Sequence, residues 1–229
     1  MKKLAPISIL VTLALLGFTT YLALVVAPTE QTMGDVQRIF YYHVPSGWVG
    51  MLCFGVNFIA SVWYLWKRSP ASDALAAASA EVGVVYCAVL LITGPLWARP
   101  VWGIWWTWDA RLTSTLVLWL IYVSYLVLRR FAAGGQTQVI AAAFAVFGFA
   151  DVPLVYFSIR WFRTQHPSPV MGGGENSGLA PAMLHVFLTN LAAFTVLGIL
   201  YVWLRYKLQL AEQALESAHA QAALKGVSR

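Results

Sequence analysis

The chain has 229 residues, 60% of them hydrophobic and only 10% charged, with a formal net charge of +6 and a mean hydropathy of +0.70. This composition excludes a soluble globular domain. The apolar residues come in runs of about 20 without alternation, which excludes a β-barrel and predicts an all-α, polytopic bundle of six transmembrane helices.

In chain order the predicted spans are 6–27, 46–66, 81–97, 112–128, 139–157 and 181–204. Lys2 and Lys3 precede the first run in the manner of a signal peptide. The run is too long for one, and Pro28 follows the nearest cleavage position, so an uncleaved span is expected. The loop 28–45 carries Arg38-Ile-Phe-Tyr-Tyr-His-Val-Pro45, where Pro45 is expected to keep Val44 out of a helix and Ser46 to cap the second span. His43, among aromatic residues, is expected at the membrane surface. Cys53 and Cys87 lie inside spans as packing residues. No C-x-x-C-H occurs, so the chain is not itself a c-type cytochrome.

The loop 98–111 holds Trp102-Gly-Ile-Trp-Trp-Thr-Trp-Asp109, four indoles and a carboxylate in eight residues. Wound as a helix, it would put Trp102, Trp105, Trp106, Asp109 and Thr113 on one arc, with Trp108 and Arg111 pointing elsewhere. Two readings are open, an aromatic shelf ending in an acid or an ordinary interfacial belt. Asp151, beside Pro153 in the fifth span, is expected to make a structural hydrogen bond inside the bundle, with a proton relay as the alternative. The loop 158–180 carries Ser158-Ile-Arg-Trp-Phe-Arg-Thr-Gln-His166-Pro and then Gly172-Gly-Gly174, which no Gly-Lys-Ser/Thr follows; no nucleotide site is predicted. Beyond the sixth span, 206–224 reads as an Ala-rich amphipathic helix with Leu208, Ala211, Leu215, Ala218 and Ala222 in a seven-residue pattern, a solvated extension of that span. His219 within it has no metal companion. The domain division is thus 1–205, the membrane bundle, and 206–229, a C-terminal tail.

Orientation follows from the fifteen basic residues. Lys2, Lys3, Lys67, Arg68, Arg129, Arg130, Arg205, Lys207, Lys225 and Arg229 fall at one set of ends, and Arg38, Arg99, Arg111, Arg160 and Arg163 at the other. The richer set, with all five lysines and both termini, is expected to be cytoplasmic. The tryptophan segment and the loops of His43 and His166 then share the outer side.

Haem is a flat ring whose iron takes axial imidazoles, whose faces pack on aromatics and whose propionates need cationic donors. His43 and His166, the tryptophans, and Arg38, Arg99, Arg111, Arg160 or Arg163 offer those groups. Zinc would want three or four close ligands. A quinone suits the same surface, so haem ranks first with quinone open.

The segment from Trp102 to Asp109 resembles the W-G-x-W-W-x-W-D signature of the haem-handling membrane proteins of cytochrome c maturation. The block 38–45, and Val152-Pro-Leu-Val-Tyr-Phe-Ser-Ile-Arg-Trp161 leading to His166, resemble two blocks of its CcmC branch. The resemblance covers nearly the whole chain, and the larger CcmF and CcsBA types carry a similar signature on longer chains, so length points to CcmC. The resemblance implies that His43 and His166 are axial ligands of a non-covalent haem b, with His166 preferred over His185. It also implies that Trp102, Trp105, Trp106, Asp109, Arg38 and Arg111 complete the site at the periplasmic face of a bacterial inner membrane. It further implies a delivery subunit rather than an enzyme, passing haem to the chaperone CcmE in a complex with CcmA, CcmB and CcmD, with ATP hydrolysis at CcmA. A haem channel across the membrane, a synthase acting directly on apocytochrome, and a quinone-binding subunit are the other readings.

Overall fold

The computed structural model describes residues 4–132, 136–167 and 178–227. Seven α-helices follow one another: α1 Leu4–Tyr21, α2 Phe40–Lys67, α3 Pro70–Trp102, α4 Ala110–Phe131, α5 Thr137–Gly148, α6 Asp151–Trp161 and α7 Pro181–Val227. A π-helical turn, Leu22–Val26, extends α1, and a 3-10 turn, Asp35–Ile39, leads into α2. They give six stretches long and apolar enough to cross a membrane, with α5 and α6 together forming the fifth, and the described residues contain no strand. The six-span, all-α architecture is thus as expected.

The first difference lies at Pro45, which sits inside α2 instead of before it. The ring removes one backbone hydrogen bond there without ending the helix. Ser46 caps nothing. It is fully buried, and its hydroxyl donates to the Tyr42 carbonyl at 2.7 Å. The second difference is the turn between α2 and α3, which is only two residues long. Arg68 takes the left-handed conformation with φ of 53° and Pro70 occupies the first turn of α3. The expected third span began at 81 because alanine is only weakly hydropathic, yet Ala74, Ala76, Ala77, Ala78 and Ala80 are all buried helix. Alanine has the strongest helix propensity and lets helices approach closely.

Close approach organises the bundle. A Cβ at Gly83 would come within 2.6 Å of the Phe54 ring, which stacks on Tyr122 at 3.8 Å; one at Gly198 would meet Val49 and one at Gly148 would meet Ile121. Around Phe54 and Tyr122 the main core gathers Ala80, Cys87, Leu118, Tyr125, Ala141, Ala145 and Val155. Both cysteines are buried and free, as packing residues should be. Between α5 and α6 the fifth span breaks at Phe149 and Ala150, because Pro153 has no N–H for the Phe149 carbonyl. Asp151 sits at that break, but its Oδ2 is buried without a partner among the described residues, so the expected structural hydrogen bond is not found.

At the basic end, Arg129 holds Asp73 in a bidentate pair at 2.6 and 2.9 Å. Arg205 pairs with Glu81, while Gln209 and Gln213 donate to Glu81 and Asp73 at 3.0 Å. Helix α7 therefore runs unbroken through position 205 for about 70 Å at 1.5 Å per residue, and its first turns past that point are tied to α3. Leu208 and Leu215 of the seven-residue pattern are exposed, as in a solvated extension. The tract 172–174 lies outside the described residues.

Candidate functional site

The site forms at the other end, where α2 starts and α3 stops. His43, in the first turn of α2, is 8% exposed. It is buried against α3. Its Nδ1 is 2.9 Å from the Thr93 hydroxyl, its Cε1 faces Gly94, where a Cβ would stand 3.4 Å away, and Trp97 meets its ring edge-on at 5.7 Å between centroids. Positions 93 and 97 are one helical turn apart, so a single face of α3 forms this wall.

Helix α3 then ends at Trp102. Gly103 adopts φ of +79°, its N–H donates to the Arg99 carbonyl, and the Arg99 guanidinium donates to the Gly103 carbonyl. Helix α4 begins after Asp109, whose backbone is extended and whose Oδ1 accepts from the Leu112 N–H at 2.9 Å. The segment 103–109 is consequently not helical. The helical arc expected for Trp102, Trp105, Trp106, Asp109 and Thr113 does not exist, because Gly103 stops one helix and Asp109 caps the next. Nor does Trp108 point away from its neighbours, since it meets Trp106 edge-on at 5.8 Å. Trp102, Trp105 and Trp108 are exposed and Trp106 is partly buried, its indole N–H enclosed without a partner.

Asp109 also reaches across to the third loop. Its Oδ2 accepts from the Thr164 hydroxyl at 2.6 Å and from Thr107 at 3.3 Å, and the Thr164 oxygen in turn accepts the His166 N–H at 3.1 Å. Burial by itself would raise the Asp109 pKa, but the Leu112 N–H and the hydroxyls of Thr164 and Thr107 outweigh it and hold the carboxyl below its ordinary value. His166 is partly buried. That burial and the Arg111 guanidinium push its pKa down to about 4, so the imidazole is neutral near pH 7.

Arg111, on the first turn of α4, donates to the Val155 carbonyl at 3.3 Å and lies within electrostatic reach of both His43 and His166. Two imidazoles and a guanidinium from separate parts of the chain thus lie near enough to influence one another electrostatically. Arg38 is committed elsewhere, donating to the Ala23 carbonyl at 2.8 Å and to Asp35 at 3.1 Å. His185 is exposed on α7. The described residues contain no group of three or more His, Cys, Asp or Glu side chains placed to hold a metal ion. The sequence reading missed Thr93, Gly94, Trp97 and Thr164. The first three read as part of an apolar run, and only the register of α2 against α3 reveals them.

A family model described as "Heme exporter protein C" matches residues 1–221, a stretch that takes in every residue of this site. The chain belongs to the CcmC family. It is 39% identical over 173 residues to "Heme exporter protein C" of Bradyrhizobium diazoefficiens, covering 75% of this chain and 65% of that one. It is 33% identical over 218 residues to the protein of that name from Haemophilus influenzae, covering 92% and 86%. It is 32% identical over 189 residues to a "Putative cytochrome c biosynthesis ccmC-like mitochondrial protein" of Marchantia polymorpha, covering 82% and 80%.

Proposed function

We propose that this CcmC-family protein handles haem for cytochrome c maturation, binding haem b non-covalently between His43 and His166 and delivering it to the chaperone CcmE. The observation that carries the reading is the electrostatic proximity of His43, His166 and Arg111 at one end of the bundle. A neutral imidazole is the form that ligates iron, and the cation beside the pair suits a carboxylate-bearing ligand. The unpartnered indole N–H groups of Trp97 and Trp106 are donors in search of an acceptor, as a propionate would provide. Trp102 and Trp105 supply exposed aromatic surface beside them. Asp109 acts through Thr164, keeping the His166 loop against the tryptophan segment, and Arg38 braces the entry to α2 against the end of the first span.

In this reading the lysine-rich end is cytoplasmic and the site end periplasmic, in a bacterial inner membrane. The partners are CcmA, CcmB and CcmD beside CcmE, with ATP hydrolysis at CcmA; this chain delivers haem and performs no catalysis of its own. A surface platform suits the interior better than a channel does. The void lined by Gly47, Gly50, Met51, Phe54, Cys87, Leu90, Thr115 and Leu118 is about 10 Å³, room for one water, and the buried Asn57 and Asn190 amides bond to helix carbonyls.

The test is the visible spectrum of the purified full-length protein in both oxidation states, with His43→Ala, His166→Ala and the double variant. Each single variant should change the spectrum while retaining some haem, and the double should retain far less. Unchanged spectra in all three would refute the assignment, and His185 would then be the next residue to replace. Copurification of a quinone without iron would favour the quinone reading.

A further inference from the structure

We propose that Thr93 is a positioning residue, which locks the His43 imidazole with its proton on Nδ1 and thereby presents Nε2 as the ligating nitrogen. The inference rests on the haem reading for its consequence, but its geometry stands on the protein alone. The Thr93 hydroxyl has one hydrogen. That oxygen is 2.7 Å from the Val89 carbonyl oxygen and 3.3 Å from that of Leu90, and an O···O contact as short as 2.7 Å is favourable only with the hydroxyl hydrogen between the two oxygens. With its hydrogen spent on its own helix, the hydroxyl has only lone pairs to offer the His43 Nδ1 2.9 Å away. Nδ1 must therefore carry the proton, and Nε2 keeps the free pair.

Position and tautomer are set together. Gly94 leaves room for the ring where a side chain would press on Cε1 at 3.4 Å, and the edge of Trp97 limits its swing. The same logic holds at His166, whose Nδ1 is 2.9 Å from the Pro167 carbonyl. A carbonyl only accepts, so this Nδ1 is also the protonated one. Both imidazoles thus offer Nε2. They differ in their anchors: His166 uses the chain beside it, whereas His43 depends on a side chain that substitution can remove. A donor–acceptor bond on the far nitrogen orients a ligating histidine and raises its basicity, and its loss commonly costs about 10–100-fold in affinity.

The experiment uses the full-length protein in nanodiscs, as wild type and with Thr93→Val, which keeps the shape, and Thr93→Ser, which keeps the hydroxyl. Haem-free samples labelled with 15N-histidine contain four histidines, and His43→Gln assigns the signals of His43. Proton–nitrogen correlation spectra should find the His43 proton on Nδ1 in wild type and Thr93→Ser, and a shift toward Nε2–H in Thr93→Val. In haem-loaded samples Thr93→Val should release haem about 10–100-fold more readily and raise the midpoint potential, because a less basic imidazole supports ferric iron less well; Thr93→Ser should restore both. A wild-type proton on Nε2 would overturn the proposal, and that measurement needs no variant to fold. Retention and potential unchanged in Thr93→Val, where His43→Ala alters the spectrum, would also overturn it while leaving the ligand assignment standing. If His43→Ala alters nothing, the ligand assignment itself fails.

Discussion

Asp109→Asn should loosen the His166 loop while sparing the helix that Asp109 starts. The carboxylate makes two separable sets of bonds: Oδ1 accepts from the Leu112 N–H, and Oδ2 accepts from Thr164 and Thr107. Asparagine caps a helix about as well as aspartate, so the first bond survives. At Oδ2 an NH2 group would face the Thr164 hydroxyl, whose oxygen already accepts the His166 N–H. A hydrogen bond to a charged group is worth about 1.5–3 kcal/mol and a neutral one about 0.5–1.5 kcal/mol. The two ranges differ by about 1–1.5 kcal/mol, and the partly exposed position argues for the lower end, about 1 kcal/mol, which is roughly a 5-fold shift toward an undocked loop. The assay is the rate of haem transfer from purified protein to an acceptor such as apomyoglobin, alongside the thermal midpoint. Haem loss should accelerate by roughly that 5-fold factor with little change in midpoint. Thr164→Val, which removes the bond to Asp109 and also the acceptor of the His166 N–H, should be at least as severe, and the double variant should be no worse than Thr164→Val alone. Additive losses, or a severe Asp109→Asn effect with a silent Thr164→Val, would refute the strap and return Asp109 to direct contact with the ligand.

Three further outcomes are expected. Cysteine labelling or reporter fusions should place positions near 35 and 105 on the periplasmic side and positions near 70 and 215 in the cytoplasm, and an outside label on α7 beyond 205 would contradict the orientation. Gly83→Ala puts a Cβ 2.6 Å from the Phe54 ring, and unfolding in detergent should show a loss of about 1–3 kcal/mol that Phe54→Leu partly relieves. Because burial and Arg111 push His166 down to about 4, its neutral form persists from pH 8 to pH 6 and is lost only as pH falls toward 4. Haem retention followed by absorbance should be flat over the first range and fall in the second, and a decline centred near 6.5 would show that His166 titrates as an ordinary imidazole.

The six spans were legible because they depend on a local sum, the apolar length of each run. The tryptophan segment was located correctly but given the wrong shape. Gly103 and Asp109 are ordinary stop and start signals, and a helical wheel drawn through them ignores that five residues lie between one helix's αL cap and the next helix's N-cap. Pro45 misled in the opposite direction, since α2 carries the proline in its second turn, where the missing N–H costs a backbone hydrogen bond but does not end the helix.

The outward turn of His185 and the contact between Thr93 and His43 belong to a different class of information. His185 follows the loop closely enough in sequence to compete, yet α7 turns it outward, while the Asp109–Thr164 strap draws His166 inward. Thr93 sits fifty residues from His43 in an apolar run where its hydroxyl reads as filler. Only the antiparallel packing of α2 on α3, made tight by the Phe54 ring over Gly83, sets the register that brings the two together. Residue types in this segment are therefore readable as an inventory, whereas the partner that His43 meets across the helix pair is set by register, and a packing glycine well down that pair contributes to it.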